Sequence, residues 1–76
     1  MYDYSKLRGR IVEKLGTNQA FAKAIGLSEV SVSDKVSGKR YWKQREIAKA
    51  IEILEIPETE VGIYFFQKKE EQNEKI

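Results

Sequence analysis

Five consecutive residues, Lys39-Arg40-Tyr41-Trp42-Lys43, hold three cations and two aromatic rings. These types suit contact with an anionic partner rather than the making of bonds. Bond-making candidates are few. The chain has no His and no Cys, which removes His–Ser and His–Cys nucleophile pairs, metallohydrolase chemistry, ordinary zinc sites and any disulfide framework. Glu52 and Glu55 resemble an acid pair only superficially, since they fall on a solvated helix face with no partner base. A non-enzymatic protein without cofactor, metal or small-molecule substrate is expected.

The charge is unevenly spread. Residues 1–45 hold ten Lys/Arg against four acids, a balance of +6, and residues 46–76 hold four Lys against eight Glu, a balance of −4, which together return the net +2. A basic half joined to an acidic half suggests one surface facing a polyanion and another facing water or a partner.

Seventy-six residues make one small domain, which buries only about 60% of the unfolded chain's surface. The near-apolar run from Val61 to Phe66 is far short of a membrane span. The N-terminal Met-Tyr-Asp-Tyr-Ser-Lys has no apolar core for a signal peptide. A cytoplasmic protein with no membrane partner is expected.

The elements that must position the basic loop read as short helices. Asp3 or Ser5 can cap a first helix to about Leu15, with Leu7, Ile11 and Leu15 inward and Gly16 ending it. Thr17 caps a second, Asn18 to Ile25, whose inward residues are Phe21, Ala22 and Ile25. Gly26 stops it, Leu27 plugs the turn, and Ser28 caps a third helix from Glu29 to about Ser37 with Val32 and Val36 inward. After Gly38 and the basic loop, a fourth helix from about Gln44 to Glu55 presents Ile47, Ile51 and Leu54, with Trp42 as the staple residue before it. Pro57 begins a short fifth turn or helix. Ile63-Tyr64-Phe65-Phe66 reads as a strand or an extended packing arm, and residues 67–76 as a charged, disordered tail. The fold class is therefore all-α: a compact bundle of four to five short helices over residues 1–66, with a short extended aromatic C-terminal arm.

Within Thr17 to Arg40 each restricted position has a physical reason. Ala22 is small where the next helix crosses it, Gly26 permits a tight turn, Leu27 fills the turn, and Val32 packs the third helix onto the second. Together they spell a helix-turn-helix, whose second helix stands proud enough to enter a major groove. With Ala22, Gly26-Leu27-Ser28, Val32-Ser33 and Gly38-Lys39-Arg40 in place, the chain resembles the Cro/repressor-type (Xre-like, lambda-repressor-like) helix-turn-helix family. The run from Tyr2-Asp3-Tyr4-Ser5-Lys6-Leu7 to Tyr64-Phe65-Phe66 looks like small Cro-like phage and prophage regulators of Gram-positive bacteria.

That resemblance implies a role for each matched position. Glu29, Val30, Ser31, Ser33 and Asp34 on the third helix would read bases. Arg10, Thr17, Asn18, Ser28, Lys35, Lys39, Arg40, Tyr41 and Lys43 would hold phosphates, with Lys35 snorkelling outward from a position where many relatives have an apolar residue. Glu29 and Asp34 depart from the Gln, Arg, Ser or Lys more usual there. The implied function is a sequence-specific regulator of transcription, a Cro-like repressor occupying double-stranded operator DNA, as a homodimer at least on DNA. Ile63, Tyr64, Phe65 and Phe66 are the expected dimer or partner surface, or else they close the chain's own core. A second reading keeps the fold but makes the protein an antirepressor or modulator that grips a phage repressor protein, which the acidic residues of the third helix and the acidic C-terminal half favour.

Overall fold

A computed structural model describes residues 2–68. The elements run α1 (Ser5–Leu15), α2 (Asn18–Ile25), α3 (Glu29–Val36), α4 (Gln44–Leu54), a 3-10 turn (Glu58–Glu60) and α5 (Val61–Phe65). The only β-type pairing among the described residues is an isolated bridge between Tyr2 and Lys68. The protein is thus an all-helical bundle, as expected. Of the tail expected over 67–76, residues 69–76 lie outside the described residues.

Local chemistry accounts for the helix ends. Asp3 Oδ1 accepts the Ser5 amide at 2.9 Å at the start of α1. Thr17 Oγ1 accepts the Ala20 amide at 3.0 Å, and Ser28 Oγ accepts the Ser31 amide at 3.1 Å, each satisfying one orphan donor of its helix. Gly26 closes α2 in the left-handed region (φ 81°), its N–H on the Ala22 carbonyl; a side chain there would be strained. Thr17→Ala and Ser28→Ala are each expected to cost about 1 kcal/mol, read as a lower urea midpoint with unchanged slope. A loss within error at both would mean that water serves these amides equally well.

Two arginines of α1 act at a distance on other helices. Arg8 Nη1 donates to the Val36 carbonyl at 2.6 Å, at the end of α3. Arg10 donates through Nε to the Leu54 carbonyl at 2.9 Å and through Nη2 to the Glu55 carbonyl at 2.8 Å, at the end of α4. A cation on the terminal carbonyls complements the negative end of a helix dipole, so α1 clamps the C-termini of both helices.

The core gathers Tyr4, Leu7 and Ile11, then Phe21, Ala22 and Ile25, Val32 and Val36, Ala50 and Leu54, Ile56 and Phe65. In α4 the buried line is Ala50 and Leu54, while Ile47 and Ile51 pack only half-buried beside it. A methyl-sized side chain at the centre of that face lets α4 lie close on α2, and the larger isoleucines flank it.

The C-terminal segment differs from the extended arm expected at 63–66. Residues 61–65 are a five-residue α-helix after the 3-10 turn. Phe65 is buried and stands edge-on to Trp42, ring centroids 5.2 Å apart. Burial of that ring against Trp42 decides the conformation, over the β-propensity of an aromatic run.

Candidate partner-binding surface

α3 and the loop after it form a face of mixed character. Glu29, Val30 and Ser33 are exposed, and Ser31 and Asp34 are half-buried. The loop folds back onto the C-terminus of α3: the Asp34 carbonyl accepts from Lys39 N at 2.8 Å and Arg40 N at 3.2 Å, and from Ser37 Oγ at 3.1 Å. Arg40 Nη1 then reaches Ser31 Oγ at 3.2 Å, which lays the guanidinium along the helix. Tyr41 is 89% exposed and Val30 68%. An exposed Tyr and an exposed Arg on the loop after α3 are of residue types enriched at protein contacts.

Beneath this face lies a buried charge. Lys35, expected to reach outward, is 4% exposed. Its Nζ donates to the Tyr41 carbonyl at 2.9 Å and pairs with Glu46 Oε1 at 3.0 Å. It also sits 6.0 Å from the centre of the Trp42 ring. Glu46 Oε1 in turn accepts the Lys43 amide at 2.8 Å, capping α4. Burial pushes the Glu46 carboxyl up, but the Lys43 N–H and the Lys35 ammonium outweigh it and hold it below its ordinary range. Lys35 is therefore a strut tying α3, the loop and α4 together. Trp42, placed as a staple, packs on Phe21 and Phe65, and its buried Nε1 has no hydrogen-bond partner among the described residues.

Of the remaining residues assigned to phosphate, Arg10 is turned to the far end of α4, engaged at its C-terminus, and Lys43 stands at the N-terminus of the same helix, roughly 15 Å away by helix rise. The hydroxyls of Thr17 and Ser28 already accept helix amides, and Asn18 is half-buried at the start of α2. Lys39 and Arg40 remain exposed next to α3.

The segment 63–66 divides between the two roles anticipated for it. Phe65 closes the core and Tyr64 packs half-buried against it, while Ile63 and Phe66 are 40% and 51% exposed. Phe66 meets Tyr2 edge-on at 5.7 Å, and the Asp3 amide bonds the Gln67 carbonyl at 2.7 Å, so residues 2–3 lie against residues 66–67 and bring two exposed rings together.

One further feature escaped the sequence reading. Ile25, Leu27, Lys43, Arg45, Glu46 and Lys49 line a cavity of about 290 Å³. The i, i+4 spacing of Arg45 and Lys49 puts two cations on one face of α4, and was the only signal of it. Among the described residues no acidic cluster is placed to hold a metal ion, and no helix is long and apolar enough to cross a membrane.

Comparison with known proteins corrects the functional assignment. A solved structure, the modulator of repression (MOR) of the temperate bacteriophage TP901-1 from Lactococcus lactis, is 51% identical with a TM-score of 0.75, over 86% of this chain and 88% of that one. No curated protein matches. The resemblance to Cro/repressor-type DNA binders, and the operator-binding repressor drawn from it, are overturned by this likeness to a modulator of repression. The physical reason lies in the residues that carried the resemblance. Ala22, Gly26, Leu27 and Val32 shape a turn and its packing, and such positions report a fold rather than the ligand its surface takes. A family model matches residues 1–68, and the chain belongs to that family, described as a protein of unknown function, DUF739.

Proposed function

We propose that this protein modulates a phage-type repressor by binding the repressor protein itself, with no bond made or broken and no cofactor. The observation that carries the reading is the 51% identity to the TP901-1 modulator of repression over most of both chains. The face of α3 and its loop supports it. Val30 and Tyr41 are exposed well beyond what a closed surface needs, and Glu29 and Asp34 lower the attraction of that face for a polyanion.

The test is calorimetric titration of the purified chain with the repressor of phage TP901-1. A stoichiometric complex with a Kd near or below the micromolar range is expected. Val30→Asp and Tyr41→Ala should each weaken it by roughly thirty-fold, the effect of losing an interface anchor worth about 2 kcal/mol. Absence of any complex, with the chain folded by circular dichroism, would overturn the reading. Unchanged affinity in both variants would instead remove α3 from the interface.

A further inference from the structure

The cavity beside α4 is built unlike the α3 face. Its floor is apolar, made by Ile25, 4% exposed, and the half-buried Leu27. Its rim carries Lys43, Arg45 and Lys49. Lys49 Nζ lies over the α2–α3 turn, 3.8 Å from where a Cβ on Gly26 would stand. Glu46, the one acid in the lining, already accepts from both the buried Lys35 and the Lys43 amide, so its charge is answered from inside the fold. The ion pairs among the described residues use Arg10, Lys14 and Lys35 as their cations and Lys43 acts on Glu46 through space, which leaves Arg45 and Lys49 outside these pairs. Lys43 and Arg45 also stand at the N-cap and in the first turn of an eleven-residue helix, where the helix dipole adds to their field.

A site of this kind discriminates. A bare inorganic anion would leave the half-buried Leu27 wet, and a nucleic-acid backbone has no use for an apolar floor. An apolar side chain alone would leave Arg45 and Lys49 unanswered. The occupant that uses both parts is a peptide segment with one large apolar side chain flanked by carboxylates. The side chain desolvates the floor, while the flexible Lys and Arg stems fold over to meet the acids. We propose that this cavity is a docking site for an acidic, apolar-anchored peptide segment presented by the repressor-type partner. The proposal rests on the reading of the chain as a protein-binding modulator, and it adds a contact separate from the α3 face.

The test has two arms. In the first, the acetylated and amidated peptide Glu-Asp-Leu-Asp-Glu is titrated into isotope-labelled protein and followed by amide chemical shifts. Saturable shifts centred on Ile25, Leu27, Arg45 and Lys49 are expected, lost when the acids are replaced by Gln and Asn or the Leu by Ser. In the second, the double variant Arg45→Glu/Lys49→Glu is titrated with the TP901-1 repressor, with Lys49→Gln as a milder change should the double variant not fold. At least a tenfold loss of affinity and a shallower salt dependence are expected. A repressor complex that forms with wild-type affinity in these variants overturns the docking site and leaves the modulator reading standing, whereas no complex with the wild-type chain overturns that reading first. Shifts at the same amides caused equally by duplex DNA or inorganic phosphate, and not by the peptide, also overturn the peptide assignment.

Discussion

Lys35→Met should cost the domain about 3–5 kcal/mol, the usual price of removing one partner from a buried ion pair. Methionine fills the same channel, so the loss is electrostatic rather than a cavity. The Glu46 carboxylate, its side chain 12% exposed, keeps only the Lys43 amide, and the Tyr41 carbonyl loses its donor. Lys35→Met/Glu46→Gln should recover most of the loss, because a neutral amide still accepts the capping N–H and leaves no charge behind. Urea unfolding of the two single variants and the double variant measures the coupling directly. A cost below about 1 kcal/mol for Lys35→Met would put the pair on a par with an exposed one. The pH dependence follows with a definite sign. A carboxyl held below its ordinary range in the folded state adds stability that is present above its unfolded pKa and lost as pH falls through the lower folded value. Lys35→Met should therefore flatten the acid limb of the stability profile.

Phe65→Ala should cost a further class of interaction, about 3–5 kcal/mol for a fully buried aromatic ring. Against the roughly 4–11 kcal/mol available to a chain of this length, that is enough to lower Tm by about 15–30 °C. Phe65 is 1% exposed and its ring meets Trp42 at 5.2 Å, so Trp42 emission should shift with the loss. Phe66→Ala, next in sequence but half exposed, should stay within about 1 kcal/mol and leave the emission where it is. Equal losses at the two positions would mean that 63–66 packs as one exposed arm rather than as a helix with a single inward ring.

The contrast between neighbours shows what could be read along the chain. The first four helices were legible because their signals are local: Thr17 and Ser28 cap within three residues, Gly26 turns on its own φ, and Leu7/Ile11 and Phe21/Ile25 repeat within one turn. Ala50 is hard to read as core because a small side chain carries little hydrophobic signal, although it is fully buried. The segment 63–66 was misread because four residues are too few for a period to show, so composition stood in for packing.

The candidate site was legible only in part. The resemblance assigns Val30 to bases and Arg40 and Tyr41 to phosphates, and the structure leaves all three exposed on α3 and the loop after it. The role implied for them rests on turn residues, which report a fold rather than the ligand its surface takes. An acidic helix face at Glu29 and Asp34 was the sequence signal pointing the other way. The cavity under Arg45 and Lys49 needed the approach of α4 to the α2–α3 turn, which no single stretch encodes.

The sequence by itself determined the all-helical class, the starts and stops of the first four helices, most of the core, and the uneven charge, because each depends on residues a few positions apart. Only the tertiary structure decided that Lys35 lies inside with Glu46, eleven residues on, as its partner, that Arg10 clamps α4 rather than facing outward, and that Phe65 turns inward while Phe66 does not. Each of these is an exchange of water for a partner distant in the chain, and its sign depends on where the helices meet.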